Sequence, residues 1–326
     1  MVSLTKRLAY PVLDLGLKTW AKYNLAEYDI AKTIIVASSG RGGSTWLAEI
    51  IGTLPGYPVL WEPLHPGKNP ECKQYGFNYR VYIPIGADAP LQSQYLEQLF
   101  TGAKLSTRVI SALAFHPRQY FPFNGFLVKF VNANLLLYWL LNQFPLKAIL
   151  MIRHPCAVVS SQLRHSAWTH VSKQNCSFPN AVAADYPHLQ EVFDFAETRE
   201  EILAFEWVLK TYVPLSQPKP HPWYLSTYES LVMDSYAELE RIFAFLEKPI
   251  PPKAYCYLRQ PSKTTQSKSN VATGRNPLTG WQDQLTARQI ERILKIIHLS
   301  GIDFYTDELV PDVAKMNTFS GLDYVI

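Results

Sequence analysis

The stretch that decides the fold is Thr33-Ile34-Ile35-Val36-Ala37-Ser38-Ser39-Gly40-Arg41-Gly42-Gly43-Ser44-Thr45-Trp46. Residues 33–37 are a short β-branched apolar run, the pattern of a strand buried on both faces. The run enters a Ser/Gly-rich loop. From Thr45 the apolar residues Trp46, Leu47, Ile50, Ile51 and Leu54 recur at helical spacing until Pro55-Gly56 stops them. A strand, a glycine loop and a helix start present several backbone N–H groups and the positive end of a helix to one anion. Gly40, Gly42 and Gly43 let the chain close around such a ligand, Ser44 and Thr45 can cap the helix and donate to it, and Arg41 adds a fixed positive charge. A tight turn capped by Ser44 would use the same residues. A nucleoside-triphosphate loop, G-x-x-x-x-G-K-[ST], does not fit, because no lysine precedes the hydroxyl pair. A dinucleotide G-x-G-x-x-G fails as well, with Thr45 standing where the third glycine belongs.

Working outward, further apolar runs predict strands at Tyr57–Trp61, Gly125–Phe130, Lys147–Ile152 and Trp223–Thr227. Helical spacing predicts helices over Leu135–Phe144, Arg199–Val213, Leu231–Leu246 and Leu285–Ile297. Residues 64–90, rich in Pro, Gly and Asn, are expected to be a long surface loop that shapes a substrate site, and residues 259–280 a flexible basic loop. Strands alternating with helices imply an α/β fold, a three-layer parallel sheet flanked by helices, with ligands at the carboxyl ends of the strands. Both the glycine loop and Arg153 fall at such ends. The expected organisation is an N-terminal helical extension over 1–30 and one domain over 31–326.

Composition narrows the function. With 326 residues, 48% of them hydrophobic, the chain can bury a large core. The net charge of +4, from 31 Lys and Arg against 27 Asp and Glu, is too even for a general nucleic-acid binder, so no nucleic acid is expected as a partner. Cys72, Cys156, Cys176 and Cys256 form no C-x-x-C pair, and the histidines show no ligand spacing, so no metal is expected and a cytoplasmic location fits. At the N-terminus, Lys6 and Arg7 precede an apolar stretch interrupted by Pro11, Asp14 and Gly16. It is too short for a signal core or a span. Val12, Leu13, Leu17 and Trp20 could share a helix face that packs on the domain or makes weak peripheral membrane contact through residues 1–25.

Arg41-Gly42-Gly43-Ser44-Thr45-Trp46 resembles the 5'-phosphosulfate loop of sulfotransferases that use 3'-phosphoadenosine 5'-phosphosulfate (PAPS), with Gly42 in place of the usual Ser. Arg153-His154-Pro155-Cys156-Ala157-Val158-Val159-Ser160-Ser161 is similar to that family's 3'-phosphate motif, in which an Arg at a strand end and a Ser eight residues later clamp the phosphate. An arginine fork matches a phosphate dianion, and Pro155 suits the first turn of a helix carrying Ser161. Gly274-Arg275-Asn276 through Trp281 partly matches the family's C-terminal donor-covering loop, which makes Arg275 a second candidate for the 3'-phosphate or else a solvated loop charge.

The resemblance implies a P-loop-NTPase-like sulfotransferase fold, PAPS as co-substrate, PAP as product and no required metal. It implies donor binding by Arg41, Gly42, Gly43, Ser44, Thr45, Trp46, Arg153, Ser161 and Arg275. Trp46 would stack on adenine or belong to the core, and Tyr228-Glu229 is expected to be structural. Lys129 resembles the family lysine that approaches the transferred group, while Val131 stands where many cytosolic members carry a basic His. Glu62-Pro63 is similar to the Glu-Pro of carbohydrate sulfotransferases. The sequence offers Glu62, with a carboxyl raised by partial desolvation, as general base, His65 as its substitute, or Glu62 in a structural ion pair. The acceptor implied is a glycan, glycolipid or small hydroxyl compound. The competing readings are a P-loop kinase or NTPase, which would want a Walker lysine, and a nucleotide-binding relative without catalysis.

Overall fold

The computed structural model describes residues 4–110, 116–265 and 269–321, with side chains from residue 10 onward. Five strands form one wholly parallel sheet: β1 (Ile34–Ser38), β2 (Val59–Trp61), β3 (Leu127–Phe130), β4 (Lys147–Ile152) and β5 (Trp223–Thr227), in the order β2-β3-β1-β4-β5. Every residue of β1 is buried. Ile34 and Val36 belong to the core on one face, Ile35 and Ala37 to the core on the other, which is the period of two that a doubly covered strand requires. On the first face lie the helices Ser44–Ile51 and Ser235–Leu246. On the second lie Pro155–Leu163, Arg199–Leu215 and Ala287–Leu299. The result is the three-layer α/β architecture expected.

Strand order places β1 at the centre, with the connection from β1 running to one side and that from β3 crossing to the other. Such a reversal opens a crevice beyond the carboxyl ends of the strands, where no crossover covers the sheet. All five strands deliver a residue to a cavity there within two positions of their ends: Ser39, Glu62, Asn132, Arg153 and Tyr228.

The structure departs from three expectations. The predicted helix Leu231–Leu246 is two helices, Tyr228–Met233 and Ser235–Leu246, broken at Asp234, whose N–H bonds back to Ser230. The segment 64–90 is irregular and lines the cavity with His65, Lys68, Tyr79 and Arg80, but it does not lie wholly on the surface. Leu64, Cys72, Phe77, Val81 and Ile83 are buried in the core, and a 3-10 turn spans Pro70–Tyr75. The helix Pro90–Phe100 follows it, unpredicted because its start was counted within the loop. The N-terminal helix runs over Leu4–Asn24 with Pro11 inside it. That helix divides the expected apolar face: Leu17 and Ala21 are buried and Trp20 packs edge-on against Tyr120 and Phe123, while Val12, Leu13 and Leu15 stay exposed. Residues 1–3, 111–115, 266–268 and 322–326, which fall within the expected extension, basic loop and domain, lie outside the described residues. No helix among the described residues is long and apolar enough to cross a membrane.

Candidate active site

The crevice holds a cavity of about 1040 Å³. Of the expected site residues, Arg41, Gly43, Ser44, Thr45, Trp46, Glu62, His65, Lys129, Arg153 and Ser161 line it; Gly42 and Arg275 do not. Arg275 is exposed and its Nε donates to Thr273 Oγ1 at 3.2 Å.

Local sequence explains how the loop is built. Gly43, the residue before the helix Ser44–Ile51, has φ of 103°, and a Cβ there would lie 2.8 Å from the Tyr228 ring and 3.0 Å from Met151 Sδ, so glycine is required twice over. Gly42 is glycine for a different reason. A Cβ on it would fall 2.3 Å from Ser38 Oγ, so Ser38 fills the space into which a side chain at 42 would project. At Gly40 a Cβ would come within 2.8 Å of the Trp168 ring, which packs over the loop and also lines the cavity. Arg41 itself takes a left-handed φ of 74°, uncommon for a residue with a side chain.

That backbone turns Arg41 into the cavity. Its Nε donates to Ser161 Oγ at 2.9 Å and its guanidinium reaches the Thr264 carbonyl at 3.3 Å. Arg153, just past β4, donates to the Arg41 carbonyl at 3.4 Å and lies 4.0 Å over the Tyr228 ring. The two motifs, 120 residues apart between Arg41 and Ser161, thus meet side chain to side chain. Burial, with Arg153 and Arg164 nearby, lowers the Arg41 pKa. Clustered guanidinium groups with no carboxylate among them are a site waiting for an anion.

Among the described residues, five buried polar atoms of the cavity lining have no hydrogen-bond partner: Arg153 Nε, Asn132 Nδ2, Trp281 Nε1, Gln162 Oε1 and Asn270 Oδ1. Three are donors. An unpaired buried donor costs about 1–3 kcal/mol, so these atoms fit a phosphate-rich nucleotide that accepts from them. Trp46 shares its ring between roles: it tilts against Tyr228 with centroids 5.4 Å apart, donates from Nε1 to the Tyr257 carbonyl at 2.9 Å, and leaves part of its surface to the cavity.

Tyr228-Glu229 divides as its burial dictates. Glu229, 1% exposed, accepts from the His154 N–H at 2.9 Å and the Tyr305 hydroxyl at 3.0 Å, locking the turn that carries Arg153. His154 Nδ1 accepts from the Cys156 N–H at 3.2 Å and Nε2 donates to the Thr306 carbonyl at 3.0 Å, an arrangement that only the neutral ring satisfies. Burial lowers its pKa to about 4.

Beside the arginines, Lys129 and Glu62 sit on adjacent strands. The Glu62 N–H donates to the Lys129 carbonyl at 2.8 Å, and Lys129 Nζ donates to Glu62 Oε1 at 2.6 Å. Lys129 is 2% exposed, and its ammonium stands 4.6 Å over the Trp61 ring. Glu62 Oε2 is held by Lys68, an exposed side chain. Burial alone would raise the Glu62 carboxyl, but Lys129 and Lys68 outweigh it and hold the pKa below the ordinary carboxylate value, opposite to the sequence expectation. Burial lowers Lys129, against the pull of Glu62. His65 Nδ1 accepts from the N–H groups of Gly67 and Lys68 at 3.1 and 3.2 Å, which leaves the proton of the neutral ring on Nε2. Trp281, which ends the third motif, also lines the cavity, whereas sequence reasoning missed Arg80, Trp168 and Lys210, which reach it from segments without motifs.

A family model described as a sulfotransferase domain matches residues 31–319, and the chain belongs to that family. It is an enzyme that takes a sulfuryl group from PAPS and delivers it to an acceptor. Among solved structures it is similar to the sulfotransferase domain from the curacin biosynthetic pathway, with 18% identity over 83% of this chain and 97% of that one and a TM-score of 0.42. It is also similar to the sulfotransferase domain of the Synechococcus PCC 7002 olefin synthase, at 18% identity over 83% and 94% with TM-score 0.41. A mouse sulfotransferase, SULT7A1, complexed with PAP, matches at 15% identity over 86% and 90% with TM-score 0.40. No curated protein matches the chain.

Proposed function

We propose that Arg41, the loop N–H groups of residues 42–45, Arg153 and Ser161 hold the donor, and that the acceptor is a hydroxyl on a glycan, glycolipid or small molecule entering beside Glu62. The observation that carries this reading is the meeting of the two motifs at Arg41 and Ser161. Sulfuryl transfer is an in-line displacement in which negative charge grows on the leaving phosphate oxygen, so the protein's task is positioning and neutralisation. Arg41 and the start of the helix Ser44–Ile51 supply positive charge at the loop. Lys129, fixed between Glu62 and Trp61, supplies it on the acceptor side.

Glu62 serves as general base once Oε2 is released. In the resting site both oxygens face lysines, but Lys68 is exposed and can be displaced by an acceptor hydroxyl that then donates to Oε2. His65 acts as a donor to the acceptor through Nε2–H rather than as the base, because its acceptor nitrogen is already used. Arg275 is left as an exposed candidate for the 3'-phosphate that would have to swing inward to reach it. A cytoplasmic location accords with four free thiols, and the exposed Val12, Leu13 and Leu15 of the N-terminal helix are the residues through which it would touch a membrane peripherally.

Incubation with sulfur-labelled PAPS and a panel of hydroxyl acceptors tests the reading. Label in an acceptor together with released PAP is the expected result; PAP binding without transfer to any acceptor would identify a nucleotide-binding relative that has lost catalysis.

A further inference from the structure

The cavity is more positive than its donor needs. On the donor side Arg41, Arg153, Arg164 and Arg259 face it with no carboxylate among them. Among the described residues, Lys68, Lys129, Arg80 and Lys210 complete the cationic lining, against which stand only Glu62 and Glu206. Eight cations and two carboxylates leave six positive charges. A nucleotide with a 3'-phosphate and a 5'-phosphosulfate brings roughly four negative ones. About two positive charges remain.

The surplus can be located. Glu62 is shared by Lys68 and Lys129, and Glu206 is bound by Arg80, whose guanidinium also contacts Cys176 Sγ at 3.4 Å. Lys210, one turn beyond Glu206 on the helix Arg199–Leu215, has no carboxylate partner for its ammonium among the described residues, although the cavity wall half-buries it. Burial lowers its pKa, with Glu206 opposing and Arg80 reinforcing that shift, whereas the charges acting on Arg41 are Arg153 and Arg164. Lys210 therefore belongs to a different charge cluster from the donor loop. The turn after β3 is tied to it, since Asn134 Nδ2 donates to the Lys210 carbonyl at 3.0 Å, and that turn carries the buried, unpartnered Nδ2 of Asn132 on the cavity wall.

We infer that the acceptor itself carries an anion, a carboxylate or a sulfate ester, which the Lys210 ammonium receives while the hydroxyl to be sulfated lies beside Glu62. The inference rests on the sulfuryl-transfer reading and narrows its acceptor class. A half-buried ammonium without a counter-ion is costly in the free protein, and an anionic group brought by the acceptor relieves that cost upon binding. A neutral acceptor would leave it standing. Selectivity would then come from the unpaired charge more than from apolar contact.

The test is calorimetric titration of the PAP-saturated protein with three probes: para-nitrophenyl β-D-glucoside, the matching glucuronide, and the glucoside bearing a primary sulfate ester. At least one anionic probe should bind about tenfold tighter than the neutral glucoside or better, the range of one charge-assisted hydrogen bond. Whichever of the two is preferred identifies carboxylate or sulfate as the group received. Lys210→Met should bring the ratio to within about twofold, and Lys210→Gln gives the same readout should the Met variant fail to fold. An anionic probe no better than the glucoside, or a preference that survives loss of Lys210, overturns the inference. PAP and adenosine 5'-phosphate are titrated on the same preparations. Without a preference for PAP the donor reading itself fails, whereas that preference without any for anionic probes sinks only the acceptor inference.

Discussion

Replacing Glu62 by Gln keeps the shape of the side chain and removes its charge and basicity. Glu62 is 8% exposed and Lys129 2%, so the substitution strands a buried ammonium that had a carboxylate at 2.6 Å. Breaking one half of a buried pair costs about 3–5 kcal/mol. With an unfolding entropy of about 2.1 cal/mol/K per residue, that is a fall in Tm of about 4–7 °C. Lys129, already lowered by burial, limits the loss by releasing its proton more readily, which points to the lower end. Loss of a general base costs about 10²–10⁴ in kcat. PAP affinity should change by no more than about twofold, because no hydrogen bond or ion pair joins Glu62 to Arg41, Arg153 or Ser161 among the described residues. The double variant Glu62→Gln/Lys129→Met separates the two effects: it restores much of the stability by removing the stranded charge, but does not restore turnover. The assay is steady-state release of PAP alongside thermal unfolding. Turnover within threefold of the parent would falsify the base assignment, and recovery of kcat in the double variant would show that Glu62 served only to neutralise Lys129 and that turnover needs neither.

Arg153→Ala should abolish the preference for PAP over adenosine 5'-phosphate, a loss of about 3 kcal/mol or more if two charge-assisted bonds to the phosphate disappear; calorimetry that finds the preference intact removes Arg153 from the 3'-phosphate site. Gly42→Ala should destabilise by about 1–3 kcal/mol through overpacking against Ser38, and Ser38→Ala should relieve most of it, since Ser38 Oγ is buried without a partner; urea midpoints that add without coupling refute that contact. For His154, lowered to about 4 by burial, the unfolded state binds the proton first, so its contribution to stability is complete above about pH 6.5 and is lost as pH falls towards 4. The shift is worth about 3 kcal/mol, and His154→Phe should flatten the stability profile across that window; an unchanged slope assigns it to other groups.

The sheet was legible wherever burial on both faces left uninterrupted apolar runs. Lys147–Ile152 and Trp223–Thr227 were read with the bounds they have. The break at Asp234 was not legible, because Leu231, Leu239, Ile242 and Leu246 keep one helical period across it and all are buried. Residues 64–90 misled through composition: Pro, Gly and Asn mark irregular backbone, yet irregular backbone can be core when Cys72, Phe77 and Ile83 turn inward. Arg41 and Arg153 were legible since short motifs place them in the turns that follow β1 and β4, whereas Arg164 and Arg259 lie in no motif. Lys210 was not legible either. In sequence it lies four residues after Glu206 on a helix, which reads as a surface pair, and only Arg80 arriving from the 64–90 segment to take Glu206 leaves the lysine unsatisfied.

The Trp168 indole, resting where a side chain on Gly40 would otherwise project, has a practical consequence for anyone who would redirect this enzyme. It borders the cavity and braces the glycine loop at once. Trimming it to admit a bulkier molecule would loosen the glycine loop, and refilling the gap from position 40 would need a side chain on the loop itself. The width of the cavity and the shape of the loop are thus joined in one ring, and a useful library would vary residues 40 and 168 as a pair.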